Sequence, residues 1–132
     1  MLAGAALTRS EALHGHKHLS DVIYPTLFRD AEQKRIFEKQ CAHPGGLFSM
    51  EFKGRKAAAF DFLRHLRIAR NAVSLGGVET LVCHPKSTTH SGMSAEELAE
   101  SGVTDGLVRV SVGIEDWRDL LADFEQALAA VQ

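Results

Sequence analysis

Arg109 is the residue whose type and position in this sequence most directly suggest chemistry. It lies in the alternating run Leu107–Val112, between Val108 and Val110, where a charged side chain loses its hydration unless a partner replaces it. One such partner is a ligand carboxylate, which a guanidinium grips with two parallel hydrogen bonds. The other is an Asp or Glu of the chain itself, and the pattern alone favours this second interpretation.

Two short polar segments could also approach a ligand. Ser74–Gly77 (SLGG) contains paired glycines, which permit a sharp turn or a close backbone approach, and spacing alone favours the turn. The glycine and lysine spacing of a dinucleotide-binding or phosphate-binding loop is absent. Thr88–Ser91 (TTHS) contains hydroxyls and an imidazole, but no evident aspartate completes a hydrolytic triad, so we expect a polar loop.

Metal and lysine chemistry have weaker signals. His14, His16 and His18 would share one face of an extended segment, and imidazole is a common metal ligand. The flanking acidic residues have no recognised metal-site spacing, so we expect solvated histidines and no metal site. Schiff-base chemistry requires a lysine, and nothing marks any of the six as buried. The six lysines are Lys17, Lys34, Lys39, Lys53, Lys56 and Lys86.

Short strands and helices alternate along the chain. Alternation, β-branched runs and turn residues predict strands at residues 22–24, 47–52, 80–83 and 107–112, with a short extended piece at 73–75. Apolar spacing and capping residues predict helices at residues 31–40, 56–70, 94–100 and from 116 onward, and residues 1–7 are interpreted as a helix start. The last helix has an apolar stripe of Trp117, Leu120, Leu121, Phe124 and Leu128. Alternating strands imply a sheet with one covered face, so the predicted fold class is α+β: a small, mostly antiparallel sheet covered on one face by helices.

Bulk composition narrows the class of protein. The 132 residues are 45% hydrophobic and 24% charged, which is typical of one soluble globular domain. The net charge of −2 and the scattered basic residues argue against nucleic-acid or acidic-membrane partners. No apolar run approaches the ~20 residues of a membrane helix. Two lone cysteines, Cys41 and Cys83, and no secretory signal indicate a reducing, cytoplasmic compartment.

From Asn71 onward, three segments resemble the carboxyl-terminal region of the cystathionine and methionine γ-lyase family of pyridoxal-phosphate (PLP) enzymes. These segments read AVSLGGVETLVCHPKSTTHS, GVTDGLVRVSVGIED and DLLADFEQAL, and VIYPTLF and GGLFSMEFKG fit the same domain more loosely. The resemblance covers residues 19–132 and implies the C-terminal domain of the aspartate aminotransferase-like fold. Residues 1–18 match poorly, where the family normally has a helix linking to its large domain.

The resemblance implies substrate-binding roles for four residues. Arg109, in the strand motif LVRVSVG, corresponds to the arginine that grips the substrate α-carboxylate, and Ser74 of the SLG motif helps to hold the same group. Thr89 of the THS motif is expected near that site. Val73 lies beside the substrate pocket, where cystathionine-handling relatives place Glu and methionine γ-lyases carry Val. A valine suits the apolar methylthio end of methionine, since a distal ammonium would call for a carboxylate.

The resemblance also implies what this chain lacks. The family's Schiff-base lysine follows a Ser-x-Thr pattern that no lysine here has, and the phosphate-binding turn and the Tyr and Asp that hold the cofactor ring are absent. We therefore expect no catalytic or cofactor-binding residues, no bound PLP and no activity in this chain alone. The complete enzyme is expected to be a cytoplasmic, homotetrameric methionine γ-lyase-like enzyme that uses PLP and an amino-acid substrate. The alternatives are an O-acyl-homoserine sulfhydrylase, a cystathionine γ-synthase or γ-lyase, and a non-catalytic truncated product.

Overall fold

The computed structural model describes residues 2–132, and within that range the chain forms five α-helices and a five-stranded sheet. The helices are α1 Leu2–Leu13, α2 Ala31–Gln40, α3 Arg55–His65, α4 Ala95–Glu100 and α5 Trp117–Ala129. The strands are β1 Leu19–Ile23, β2 Leu47–Phe52, β3 Arg70–Asn71, β4 Leu81–Cys83 and β5 Leu107–Ser111. Short 3-10 turns occur at Pro25–Leu27 and Pro85–Ser87. Each begins with a proline, whose fixed φ suits the first position of a helical turn.

The sheet has the order β1-β2-β5-β4-β3, so the last strand of the sequence occupies its centre. Every pairing is antiparallel except that of β3 with β4. In the register, Arg109 on β5 lies between Ser49 on β2 and Cys83 on β4. Side chains alternate between the two faces of a strand, so these three residues form one row on one face of the sheet.

The opposite face of the sheet is covered by helices α1, α3 and α5, as the alternating pattern predicted. Phe48, Met50 and Phe52 of β2 are each at most 2% exposed, because this face of the strand packs against the helices. The rings of Phe62 on α3 and Phe124 on α5 meet edge to face with centroids 5.6 Å apart. Truncating either buried ring to alanine costs about 3–5 kcal/mol in comparable cores, so this layer supplies much of the stability. The α+β prediction is confirmed.

Most predicted helix and strand boundaries agree with the structure, and α3 is the main exception. The predicted helix at residues 56–70 ends at His65, and the chain then turns outward. The cause is Asp123 on α5, whose carboxylate accepts the backbone amides of Arg67, Ile68 and Ala69 at 2.8–3.0 Å. The turn gives these amides a charged acceptor from another helix, and β3 begins at Arg70.

Two smaller differences concern exposure and extended structure. Trp117 belongs to the predicted apolar stripe of α5, yet it is 37% exposed and its ring faces the Arg118 guanidinium at 4.7 Å. It lies in the first turn of the helix, whereas Leu120, Phe124 and Leu128 are fully buried. Residues 73–75, predicted as a short extended piece, form a loop outside the sheet. None of the helices within residues 2–132 has the length and apolarity needed to cross a membrane.

Candidate functional site

The site around Arg109 is built from strand β5 and the loop that joins β3 to β4. Arg109 is half-buried on the sheet face opposite the helices, in the row that contains Ser49 and Cys83. Cys83 is 1% exposed, so the guanidinium lies beside a dry part of the surface as well as beside solvent. In such surroundings a hydrogen bond to the charged group is stronger than in water.

The Arg109 guanidinium is held by backbone carbonyls and not by an acid. Its Nη2 donates to the Val73 carbonyl at 2.8 Å and to the Ser74 carbonyl at 3.1 Å. Within residues 2–132, no carboxylate forms an ion pair with it, and its buried Nε has no acceptor. The local pattern had favoured an Asp or Glu partner, and that interpretation is wrong. Two donor nitrogens of the guanidinium, Nε and Nη1, therefore have no acceptor among residues 2–132.

Val73 and Ser74 reach the site through their backbones. Both residues are exposed, Val73 to 53%, and their carbonyls point at Arg109. The Ser74 hydroxyl makes no hydrogen bond with any residue from 2 to 132, so it is free to bind a ligand. The structure therefore brings together three of the four residues predicted from the sequence.

The glycines of the SLGG segment form the turn that folds this loop over the sheet. Gly76 has φ +73°, a conformation that residues with a side chain rarely adopt. Its amide donates to the hydroxyl of Ser111 at 2.9 Å. Gly46, Leu47, Leu75, Gly76, Ser111 and Val112 line a shallow cavity of about 170 Å³. The paired glycines thus form a turn, as their spacing indicated, and the turn lies beside Arg109.

A second set of hydrogen bonds fixes the far end of the loop to the chain beyond β5. The Glu115 carboxylate accepts the Thr80 amide at 2.6 Å and the Thr80 hydroxyl at 2.8 Å. The same hydroxyl oxygen accepts the Gly113 amide at 2.9 Å, and Thr80 is fully buried. The Ile114 amide donates to the Val78 carbonyl at 2.8 Å. These bonds hold the β3–β4 loop against the chain that follows Arg109.

Thr89, the fourth predicted residue, lies in the loop after β4. It is exposed, and its hydroxyl shares a 2.7 Å hydrogen bond with the His90 ring. No hydrogen bond within the described range joins it to Arg109, Val73 or Ser74. The predicted polar loop is present, since residues 85–92 form a 3-10 turn followed by turns.

Buried His84 supports that loop. Its Nδ1 meets the Ser87 hydroxyl at 2.9 Å, and its Nε2 meets the Asp105 carbonyl at 2.8 Å. Because the second contact is to a carbonyl, Nε2 carries the proton and Nδ1 accepts. Both ring nitrogens are therefore used to hold the 3-10 turn in place.

The lysines lie at the surface. Lys17, Lys34, Lys39, Lys53 and Lys56 are exposed, and half-buried Lys86 lies 2.7 Å from the Asp105 carboxylate. Hydrogen bonding to Lys86, and to a smaller extent to Arg55, lowers the pKa of the Asp105 carboxyl.

Three histidines were predicted to be solvated. His14 is exposed, whereas His16 and His18 are half-buried. The His16 and His18 rings lie 5.6 Å apart, and burial followed by the charge of His18 lowers the pKa of His16. Within residues 2–132, no three His, Cys, Asp or Glu side chains are grouped closely enough to hold a metal ion.

The sequence interpretation missed Ser111, Thr80 and Glu115, which join the loop to the chain around β5. The sequence did contain a signal for Ser111. It is a small polar residue that alternation puts on the same face of the strand as Arg109, and the chain also has a glycine pair whose backbone such a residue can bind. Thr80 and Glu115 carried no comparable signal. They are 35 residues apart and meet only because the sheet brings β4 beside β5.

Comparison with known proteins gives consistent matches over almost the whole chain. The family model described as Cys/Met metabolism PLP-dependent enzyme matches residues 3–129. The L-methionine γ-lyase of Pseudomonas deceptionensis is 43% identical over 122 residues, which is 92% of this chain and 30% of that protein. The cystathionine γ-lyase of Dictyostelium discoideum is 42% identical over 116 residues, 88% of this chain and 30% of that protein.

The structural match is equally extensive. A crystal structure of cystathionine γ-synthase from Xanthomonas oryzae pv. oryzae, in complex with aminoacrylate and cysteine, superposes with a TM-score of 0.91 at 38% identity. The superposition covers 98% of this chain and 33% of that one. The chain therefore spans about 30% of the length of the curated relatives it matches.

Proposed function

This chain belongs to the family of Cys/Met metabolism PLP-dependent enzymes, and we propose that it supplies the group that binds the α-carboxylate of a sulfur amino acid. The observation that carries the proposal is the state of Arg109. It is half-buried and charged, it has no acidic partner among residues 2–132, and its buried Nε has no acceptor. Buried donors in native proteins are almost always satisfied, so an arginine with unsatisfied donors and no acidic partner favours a binding role. A ligand carboxylate would provide an acceptor for Nη1, which also has none among residues 2–132.

Binding would use the atoms already oriented by the loop. The Val73 and Ser74 carbonyls hold Nη2, which fixes the plane of the guanidinium. A carboxylate in that plane can accept from Nη1 with one oxygen and share Nη2 with the other, and charge-assisted bonds of this kind are short and strong. The free Ser74 hydroxyl could donate a further bond to the same group. We assign no contact to Thr89, the remaining residue of the proposed site.

The substrate we propose is methionine or a similar thioether, which the enzyme would split with water into a 2-oxo acid, ammonia and a thiol. The support is Val73, whose exposed side chain belongs to the residue that holds Arg109. An apolar side chain there suits an apolar distal end of the substrate, whereas a carboxylate would suit a distal ammonium group. The similarity to L-methionine γ-lyases agrees with this choice.

The residues of this chain do not fit a PLP site. Five of the six lysines within residues 2–132 are exposed, and Lys86 is paired with Asp105. The relatives contain about 70% of their length beyond the matched region, and we propose that the corresponding part of this enzyme holds the cofactor and its lysine. The 132-residue chain alone would then bind the cofactor at no defined position and have no lyase activity.

A chimeric enzyme tests the proposal. This chain replaces the matching 122 residues of the Pseudomonas deceptionensis L-methionine γ-lyase, and kcat/KM is measured with methionine. Arg109→Ala should lower kcat/KM by about 10²–10³-fold, since a charged two-point contact contributes about 3–4 kcal/mol. Arg118→Ala is the matched control, because Arg118 is exposed and its contacts among the described residues are local, an ion pair with Asp116 and the ring of Trp117.

Two results would contradict the proposal. One is an Arg109→Ala chimera whose kcat/KM stays within about threefold of the Arg118→Ala control. The other is a folded, cofactor-loaded chimera that converts neither methionine nor cystathionine before any substitution is made. A chimera that prefers cystathionine would retain the role of Arg109 and reject methionine as the substrate.

A further inference from the structure

Ser111 is the second residue of strand β5 that contacts the β3–β4 loop. It lies two positions after Arg109, so the alternation of the strand puts both side chains on one face of the sheet. Ser111 is 2% exposed, and its hydroxyl oxygen accepts the Gly76 amide at 2.9 Å. The same loop supplies the two carbonyls that accept from Arg109. Two residues on the same face of β5, Arg109 and Ser111, therefore hold the same loop.

The other hydrogen bonds of this loop lie at its ends. The Ala72 amide donates to the Val82 carbonyl, and the Ile114 amide donates to the Val78 carbonyl. Between these ends, Arg109 and Ser111 are the only side chains hydrogen-bonded to the loop backbone within residues 2–132. Ser111 and Arg109 are therefore the two side chains that hold the middle of the loop to strand β5.

We propose that Ser111 is a positioning residue for substrate binding. By holding Gly76 it fixes the Val73 and Ser74 carbonyls, and these orient the Arg109 guanidinium toward the α-carboxylate of an amino acid. The inference rests on the proposed function, since it takes Arg109 as the group that meets the carboxylate. Misplacing a positioning group by about 1 Å can cost on the order of 10²-fold in rate, so a bond remote from the substrate can have a measurable effect.

Amide hydrogen exchange and NMR of the 132-residue chain test the structural part. Ser111→Ala should speed exchange of the Gly76 amide at least about fivefold, the loss expected for one net hydrogen bond, and should shift the Arg109 Nε–H signal. Ser49→Ala is the matched control, because Ser49 lies beside Arg109 on the same face and makes no side-chain hydrogen bond within residues 2–132. It should change neither signal by a comparable amount.

Kinetics of the chimera test the functional part. Ser111→Ala should raise KM for methionine about fivefold while changing kcat less, since the loss falls on carboxylate binding. Ser111→Thr retains the hydroxyl and should restore KM, because the adjoining cavity accommodates a methyl group. Ser111→Cys keeps a similar side-chain volume but replaces the hydroxyl with a weak acceptor, so it should also raise KM. This variant tests the inference if the alanine variant folds poorly.

The inference and the proposed function can fail separately. If Arg109→Ala abolishes efficient turnover while Ser111→Ala and Ser111→Cys match the Ser49→Ala control, the proposed function stands and Ser111 has no positioning role. If Arg109→Ala has no effect, the proposed function fails, and the assignment of Ser111 to carboxylate binding fails with it. A KM that rises in all three Ser111 variants would also overturn the inference, because the hydroxyl would then not be the cause.

Discussion

Asp123 offers the sharpest test of how this domain is held together. This residue is 4% exposed, and its carboxylate accepts the amides of Arg67, Ile68 and Ala69 from the chain between α3 and β3. Gln126 also donates to it at 3.1 Å. Asp123→Ala would remove a charged acceptor from three backbone donors and leave the volume of the carboxylate empty. Asp123→Asn would keep one oxygen and turn an amide group toward the same donors.

The loss in the free energy of unfolding depends on which of the three backbone amides water can reach. Arg67 and Ile68 are exposed, so water can replace the carboxylate at their amides, whereas Ala69 is buried and its amide would lose its partner. A hydrogen bond to a charged group contributes about 1.5–3 kcal/mol net, and an unsatisfied buried donor costs about 1–3 kcal/mol. We expect Asp123→Ala to lower the free energy of unfolding by about 3 kcal/mol, and Asp123→Asn by about 2 kcal/mol.

Urea unfolding followed by far-ultraviolet circular dichroism measures this loss, and thermal unfolding should show a decrease in Tm of roughly 10 °C for the alanine variant. Asp119→Ala is the control. Asp119 lines the same surface groove on α5, is exposed and its side chain makes no hydrogen bond within residues 2–132. Its loss should cost less than about 1 kcal/mol through the helix dipole. A loss for Asp123→Ala no larger than the control's would refute the reasoning.

Three further predictions concern substrate, cofactor and pH. In the chimera, Val73→Glu should raise the kcat/KM for cystathionine relative to that for methionine by about tenfold, and an unchanged ratio would mean that position 73 does not select the substrate. The 132-residue chain mixed with PLP and borohydride should show no stoichiometric adduct at a single lysine by mass spectrometry. The carboxyl pKa of Asp105 is lowered from 3.8 mainly by Lys86, so this pair stabilises the fold at neutral pH and loses its effect as the pH falls through the lowered pKa. The difference in Tm between wild type and Lys86→Gln should therefore shrink below about pH 4, and a difference independent of pH would contradict this.

Sequence patterns predicted the parts of the fold that local signals determine. The bounds of α2 and β2 agree with the predicted residues 31–40 and 47–52, since charge pattern, alternation and flanking glycines are all local. The capping box at Ser94 and Glu97 is present, with both reciprocal hydrogen bonds formed. Local preference and tertiary packing agree in these elements, so the pattern was sufficient.

Distant contacts account for what the patterns missed. The apolar spacing of α3 continues past His65, but a carboxylate 54 to 56 residues further along the chain redirects the backbone. For Arg109, the pattern showed that a partner was needed and favoured an acid, whereas the structure provides two carbonyls from a loop 35 and 36 residues away. The family resemblance named Val73 and Ser74 together with Arg109, and these three residues lie in contact, because a resemblance carries information about positions that are close only in the folded chain. Their role in substrate binding stays a prediction.

The central place of β5 in the sheet has a consequence for folding during synthesis. β2 and β4 pair with β5 on either side, so neither half of the sheet can join the other until residues 107–111 have left the ribosome. At about 5–20 residues per second, the following α5 emerges within a few seconds. Until then, Phe48, Met50 and Phe52 lack the cover that Phe124 and its neighbours give them, and nascent chains arrested before residue 107 should be bound by chaperones that recognise apolar strands.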